Sequence, residues 1–177
     1  MADEARALRP AAVARKWLED PRIGYSGDLS PDASESERQA LSSMVMPGAR
    51  VSLAEPGRVV CSLRVRAPLR RSPWHAGAIA AAVDNVCSSV VFTVVGEPTA
   101  TVHYSLSYFS PAHPNVRAHT RRGMEEVEMK GRVVSRKGKL TAAAVEVRKK
   151  ESRELVAIGR QWVTPASPTK NNKSSKL

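Results

Sequence analysis

A single apolar stretch, residues 77–95, constrains the fold of this chain more than any other feature. It is long enough to cross a membrane as a helix or to fill the centre of a globular domain. Five polar residues interrupt it, namely Asp84, Asn85, Ser88, Ser89 and Thr93. Polar and charged groups are costly inside a bilayer, so we predict a buried helix of a water-soluble domain and no membrane span. Apolar residues on nearly every side predict that other elements surround this helix.

The segments on either side of the apolar stretch alternate between apolar and polar residues, which is the period of a β-strand. In residues 58–66, the side chains of Val59, Cys61, Leu63 and Val65 share one face. We predict further strands at residues 49–53, 99–109, 126–135, 140–148 and 155–163. The late strands are joined by short turns and must therefore be antiparallel. Two strands, a long helix and four strands predict an α+β domain.

The predicted domain occupies residues 44–164 and follows an N-terminal segment, residues 1–43. There we predict a short helix at residues 10–19, with Pro10 near its first turn, and a second helix at residues 34–41. Residues 165–177 are polar, and we expect them to form a disordered tail. The tail ends in the tripeptide that the peroxisomal import receptor reads, Ser175, Lys176 and Leu177. This tripeptide predicts a peroxisomal location.

The chain is strongly basic, with 28 Lys and Arg residues, 17 Asp and Glu residues and a formal net charge of +11. This excess favours a polyanionic partner, which could be nucleic acid, an anionic membrane or a phosphate-rich ligand. No recognised nucleic-acid-binding motif accompanies the charge, so nucleic acid is not the expected partner. Cys61 and Cys87 lie in apolar segments without metal-ligand spacing. Their positions indicate a reducing intracellular compartment and no metal site.

The start of the predicted helix carries a motif, residues 74–78 followed by Asp84, that resembles the His-Gly-Gly…Asp signature of PaaI-like hotdog thioesterases. Residues 106–112 resemble the next strand of that family, and residues 131–160 resemble its last strands. The likeness covers about residues 58–163 and is greatest to the acyl-coenzyme A thioesterase 13 type, in a plant-like peroxisomal form. It implies the hotdog fold, a curved antiparallel sheet wrapped around one long central helix. It also implies acyl-CoA hydrolysis without a cofactor by a homodimer, with two dimers forming a tetramer.

By this resemblance, Asp84 is the general base or the nucleophile of the reaction. Its apolar neighbours on the helix are consistent with such a role, because burial raises the pKa of a carboxyl and makes its ionised form a better base. The alternative is a structural aspartate held by a backbone or side-chain partner. Thr101 matches the position whose hydroxyl orients the attacking water, although it could equally be an ordinary strand threonine, and Thr99 is also available.

The resemblance also assigns oxyanion binding to the backbone N–H groups of Ala76 and Gly77, which lie at the helix start. Unpaired N–H groups and the helix dipole favour an anion there. His75 has either an orienting, structural role or a direct catalytic one. Two segments match CoA-binding positions of the family. They are the run Tyr108, Phe109, Ser110, Pro111, Ala112 and His113, and the basic turn Arg136, Lys137, Gly138 and Lys139, which could instead be a solvated hairpin end.

Helix geometry places His75 and Asp84 apart within one chain. They are separated by nine positions, which is roughly 13 Å along a helix, and they point to opposite faces. If both serve one thioester, a second chain must supply one of them, so the mechanism requires a dimer. The sequence departs from the family in the loop at residues 68–73, which lacks the usual Asn, and at residues 112–124, which are longer and more basic.

The expected activity is hydrolysis of a fatty or aromatic acyl-CoA to the free acid and CoA. A more specific alternative is a thioesterase for 1,4-dihydroxy-2-naphthoyl-CoA. Because the loop Asn is missing, a hotdog protein that binds acyl-CoA without turnover is a further alternative. The expected partners are acyl-CoA, a second copy of the chain and the import receptor.

Overall fold

Six strands and a long helix follow one another in the predicted order. A computed structural model describes residues 2–20, 23, 44–65, 74–112 and 126–166. Its helices are α1 (Ala2–Glu19) and α2 (Ala76–Val95), and its strands are β1 (Arg50–Glu55), β2 (Arg58–Arg64), β3 (Thr99–Tyr108), β4 (Glu126–Lys137), β5 (Leu140–Lys149) and β6 (Leu155–Pro165). The predicted α+β class is confirmed, with every predicted strand present and most of them longer than expected.

The strands form one antiparallel sheet in the order β1-β2-β4-β5-β6-β3. Alternation places Val59, Cys61 and Leu63 of β2 on the face that packs against α2, where all three are buried. Strands β1 and β3 form the two edges of the sheet. The register shifts near Val102 in β3, and Val102 is 60% exposed.

Helix α2 lies in the concave face of the sheet because two glycines leave room for it. A Cβ atom added to Gly131 would lie 2.5 Å from Val90 Cγ2, and one added to Gly159 would lie 2.3 Å from Val83 Cγ1. The helix is long and apolar enough to span a membrane, but 72% of its most apolar window is buried inside the protein. It therefore packs as the core helix of the sheet. It ends at Gly96, whose φ of 73° is left-handed.

The prediction for the first helix was wrong at its beginning. Helix α1 starts at Ala2, so Pro10 lies inside it and not near its first turn. The preceding segment, residues 2–9, consists largely of Ala, Glu, Arg and Leu, which favour helix strongly enough to continue through a proline. The ring of Trp17 packs edge-on against Phe92 of α2 at 6.5 Å, so α1 covers the C-terminal part of the core helix.

Several predictions fall on residues that the structure does not describe. They are the second N-terminal helix at residues 34–41, the loop at residues 68–73, most of the basic segment at residues 112–124, and the tail with its terminal tripeptide. These remain expectations.

Candidate active site

Asp84 lies in a small polar group that joins three elements, and we call it the carboxylate cluster (Asp84, Thr101, Gln161). Gln161 of β6 donates from Nε2 to Asp84 Oδ1 at 2.6 Å and to Thr101 Oγ1 at 2.7 Å. The register of β3 with β6 explains why Gln161 and Thr101 lie close together, because Gln161 pairs with Tyr104 of β3 and Thr101 pairs with Val163 of β6. Of the two available threonines, Thr101 is therefore the one in the cluster.

The environment of Asp84 raises its pKa above the ordinary value of an aspartate. Burial is the larger cause, and the hydrogen bond from Gln161 opposes it by stabilising the carboxylate. Asp84 is half-buried and Thr101 is exposed, so the cluster can be reached from solvent. Among the described residues, Oδ1 is the Asp84 oxygen with a hydrogen-bond partner. Asp84 is thus held by a side chain through Oδ1, and Oδ2 has no hydrogen-bond partner within the described part of the chain.

His75 is the N-cap of α2. Its φ of −60° and ψ of 135° are extended, and its Nδ1 accepts a hydrogen bond from the Gly77 N–H at 3.1 Å. The Gly77 N–H is therefore engaged by His75, whereas the Ala76 N–H has no hydrogen-bond partner in the described part of the chain. Because Nδ1 accepts, a neutral His75 carries its proton on Nε2 and can donate from there.

The start of α2 and the end of β3 border a cavity of about 630 Å³ that is open to solvent, which we call the His75 cavity. It is lined by Trp74, His75, Ala76, Ile79, Tyr108, Phe109, Ser110 and Pro111. The Tyr108 hydroxyl donates to the Ala76 carbonyl at 2.9 Å, and the Trp74 N–H donates to the Ala112 carbonyl at 2.7 Å. The predicted catalytic histidine, one predicted oxyanion donor and four predicted CoA contacts therefore lie together.

The other predicted site residues that the structure describes do not line the His75 cavity. Ala112 is completely buried and His113 is outside the described residues. Asp84 and Thr101 do not line the His75 cavity. Thr101 and Tyr108 are seven positions apart on β3, which is roughly 20 Å along a strand.

The basic turn of Arg136, Lys137, Gly138 and Lys139 is exposed. It lies at the Thr101 end of the sheet, because Thr141 of β5 and Thr101 of β3 both pair with Val163 of β6. The two predicted CoA-binding segments are thus at opposite ends of the sheet within one chain.

Sequence reasoning missed Gln161. Its signal was present, since Gln161 interrupts the inward-facing row of β6, where Ala157 and Val163 are also buried. It also missed Tyr104, whose hydroxyl donates to the Ala80 carbonyl at 2.8 Å and fastens β3 to α2. A polar residue at an inward strand position would have identified Gln161 as a site candidate.

Neither cysteine is suited to nucleophilic chemistry. Burial raises the pKa of the Cys61 thiol to about 12 and raises that of Cys87 as well, so both are protonated at neutral pH. Among the described residues, no group of three His, Cys, Asp or Glu side chains could hold a metal ion. Asp84 in the carboxylate cluster and His75 in the His75 cavity remain the candidates for chemistry at these two places.

No family model and no curated protein matches this chain. Solved structures do match. Zebrafish thioesterase superfamily member 2 has a TM-score of 0.62 at 19% identity, covering 86% of this chain and 95% of its own. Mouse thioesterase superfamily member 2 has a TM-score of 0.57 at 22% identity, and the match covers 76% of this chain and 99% of the mouse chain. A hypothetical thioesterase from Streptococcus pneumoniae, solved with coenzyme A, has a TM-score of 0.61 at 14% identity, and the match covers 76% of this chain and 98% of the bacterial chain.

The chain has the hotdog fold. The six-stranded antiparallel sheet around α2 matches these structures over most of their length, so the predicted fold is confirmed. At such low sequence identity, the similarity concerns the fold, and the activity has to be argued from the carboxylate cluster and the His75 cavity.

Proposed function

We propose that this protein hydrolyses acyl-CoA thioesters to the free acid and CoA, with Asp84 as the general base. The observation that carries the proposal is the carboxylate cluster, in which a half-buried Asp84 with a raised pKa is linked through Gln161 to Thr101. A carboxylate of this kind can take a proton from water near neutral pH. Support comes from the fold neighbours, which are named thioesterases, one of them solved with coenzyme A.

In the proposed reaction, Asp84 removes a proton from a water molecule whose oxygen attacks the thioester carbonyl carbon. The Ala76 N–H and the Nε2–H of His75 stabilise the resulting oxyanion. The C–S bond then breaks, and the leaving sulfur takes the proton from Asp84 to form the CoA thiol. Direct attack by Asp84 would instead form an anhydride, and a single turnover in ¹⁸O-water distinguishes the two routes.

The proposed site requires two chains, because its parts lie at opposite ends of β3. Among the described strands, β3 is an edge of the sheet, and no described strand pairs with its outer backbone groups. Two copies of β3 that pair in antiparallel fashion around a two-fold axis would bring the Thr101 end of one strand to the Tyr108 end of the other. Each site would then combine Asp84 of one chain with the His75 cavity of its partner. Pairing of two such dimers into a tetramer belongs to the same proposal.

The proposed substrates include aromatic acyl-CoAs, because three aromatic residues line the His75 cavity, namely Trp74, Tyr108 and Phe109. 1,4-Dihydroxy-2-naphthoyl-CoA is one such substrate, and fatty acyl-CoAs are the comparison class. The proposed location is the peroxisome, on the basis of the C-terminal Ser175, Lys176 and Leu177. A fluorescent fusion with a free C-terminus should enter peroxisomes, and the same fusion without Leu177 should not.

The decisive test of the activity is thiol release from a panel of fatty and aromatic acyl-CoAs. We expect turnover on at least one of them and a loss of about 10²- to 10⁴-fold in kcat for Asp84→Asn. Ser88→Ala, a change of a half-buried polar residue one turn further along α2, is the matched control and should retain activity. Tight binding of acyl-CoA with no turnover on any substrate would overturn the proposal in favour of a non-catalytic acyl-CoA-binding protein.

A further inference from the structure

Gln161 is a buried amide whose two N–H donors both face the carboxylate cluster. The side chain is completely buried, and Nε2 donates to Asp84 Oδ1 at 2.6 Å and to Thr101 Oγ1 at 2.7 Å. Its Oε1 has no hydrogen-bond partner among the described residues, which costs free energy at a buried position. The amide thus places both donors in the cluster and leaves its acceptor unpaired, and this arrangement requires an explanation.

The amide keeps one orientation in both protonation states of Asp84. An ionised carboxylate can only accept hydrogen bonds, so the atom that faces Oδ1 is the donor Nε2. A protonated Asp84 can carry its hydrogen on Oδ2, which has no partner in the described part of the chain, and Oδ1 then still accepts from Nε2. A turned amide would leave two N–H donors unpaired at a buried position, so the observed orientation is the better one throughout.

The hydrogen bond from Gln161 makes the two oxygens of Asp84 unequal. A hydrogen bond to a carboxylate stabilises its charged form, and here the bond is made to Oδ1. Oδ1 therefore has the lower affinity for a proton, and Oδ2 has the higher one. A proton that Asp84 takes from water goes to Oδ2.

The second hydrogen bond from Gln161 decides what the Thr101 hydroxyl can do. Because Oγ1 accepts from Nε2, its own hydrogen is free to donate to another molecule. The two N–H bonds of an amide nitrogen diverge by about 120°, so Oδ1 of Asp84 and Oγ1 of Thr101 lie roughly 4–5 Å apart. Two hydrogen bonds of about 2.8 Å each span such a separation, so a single water molecule can contact both side chains.

We propose that Gln161 is a positioning residue whose fixed amide prepares Asp84 as the proton acceptor and Thr101 as a hydrogen-bond donor for one water molecule. This water donates to Asp84 Oδ2 and accepts from the Thr101 hydroxyl, so its remaining lone pair can attack the thioester carbonyl carbon. The proton moves to Oδ2 as the C–O bond forms and passes to the sulfur when the C–S bond breaks. The hydrogens of Gln161 and Thr101 stay in place. This inference rests on the proposed function for the reaction itself.

The kinetic test is a double-mutant cycle between Gln161 and Thr101. Gln161→Met keeps the length of the side chain but removes its donors, and Thr101→Val keeps the branched shape but removes the hydroxyl. We expect each change to lower kcat about 10- to 100-fold with little change in KM. The double variant should be about as active as the less active single variant, because Thr101 orients water only while Gln161 holds it.

A double variant whose loss equals the product of the two single losses would overturn the joint role of Gln161 and Thr101. Thr141→Val is the matched control, since it changes another buried polar residue of the sheet, and its kcat should equal that of the wild type.

A second readout is the titration of Asp84, followed by the ¹³C resonance of its carboxyl and by the acidic limb of the kcat/KM profile. In Gln161→Met both should move to higher pH, because the lost hydrogen bond stabilised the carboxylate and lowered its pKa. Cys87 and Tyr104 also face Asp84, but burial raises the pKa of both groups, so they stay protonated in this range. A folded Gln161→Met protein with the wild-type titration of Asp84 would overturn the role of Gln161.

The unmodified protein allows a test that depends neither on turnover nor on the folding of a variant. The Gln161 side-chain NH₂ resonances are followed by ¹⁵N NMR while Asp84 titrates. We expect their NOE contacts to the Thr101 methyl group to persist on both sides of the midpoint, and loss of these contacts would overturn the fixed amide. Absence of turnover on any acyl-CoA would overturn the proposed function, whereas the Asp84 titration and the NOE contacts would still decide how Gln161 holds the cluster.

Discussion

The carboxylate cluster and the His75 cavity are built in opposite ways, although both lie between α2 and β3. The cluster consists of three side chains, and its central residue, Gln161, is completely buried. The cavity is formed by the helix start and the loop after β3, and its polar contacts use backbone groups of Ala76 and Ala112. The first region offers a proton acceptor and the second offers donors and an apolar surface. In the proposed reaction, neither region is a complete hydrolytic site without the other.

The largest effect should come from separating the two regions genetically. Ala76→Pro removes the backbone N–H that is proposed to bind the oxyanion. The helix should tolerate this change, because Ala76 is its first residue and the φ and ψ of His75 are extended, as the residue before a proline requires. We expect kcat to fall about 10²- to 10³-fold. Asp84→Asn should also be inactive. When equal amounts of the two variants are refolded together, half of the dimers contain one chain of each kind, and each of these dimers has one intact site out of two. The mixture should therefore recover about a quarter of the wild-type activity.

A mixture that stays as inactive as its components, while size measurements show mixed dimers, would contradict the two-chain site. Full activity of Ala76→Pro alone would contradict the division of roles between the two regions. Circular dichroism of each variant provides the control for folding.

A smaller effect should follow from crowding α2 near the carboxylate cluster. In Gly159→Ala, the new methyl group collides with Val83, the residue before Asp84, and overpacking of this kind costs about 1–3 kcal/mol in the free energy of unfolding. Urea denaturation measures this loss. In a Val83→Ala background the same substitution should cost less, because the space is then available. Equal costs in both backgrounds would show that Val83 is not the obstacle.

The raised pKa of Asp84 also predicts how stability depends on pH. Folding favours the protonated carboxyl here, so its contribution to stability is fully present below the unfolded pKa and is lost as the pH rises through the folded pKa. Asp84→Asn should therefore have a higher Tm than the wild type at neutral pH, and the difference should vanish in acid. A Tm difference that does not change with pH would contradict the assignment.

The smallest effect should come from Tyr108→Phe in the His75 cavity. The loss of the hydrogen bond to the Ala76 carbonyl costs about 0.5–1.5 kcal/mol. We expect KM to rise a few-fold while the acidic limb of the pH profile stays in place, because Tyr108 does not contact Asp84. A shifted limb would show that the two regions are coupled within one chain.

The regular elements and the class of fold could be predicted from the sequence because they depend on local periodicity. The polar interruptions of α2 and the alternation in β2 were sufficient. The start of α1 was mispredicted because proline was given more weight than the helix formers before it. Asp84 and His75 were identified through the family resemblance.

The partners within the site could not be predicted. Gln161 lies 77 positions from Asp84, and the two meet only because α2 packs against β6 in the folded chain. The use of the Gly77 N–H by His75 depends on the cap geometry at the helix start, which the residue types alone do not specify. Long-range register and local backbone angles are properties of the folded chain.

The outer edge of β3, which no described strand covers, has a consequence for how activity depends on protein concentration. If two chains assemble each site across this edge, specific activity falls on dilution, even though every individual chain remains folded. Hydrolysis would then be switched on by accumulation of the protein in a confined volume and would remain low wherever the chain is scarce.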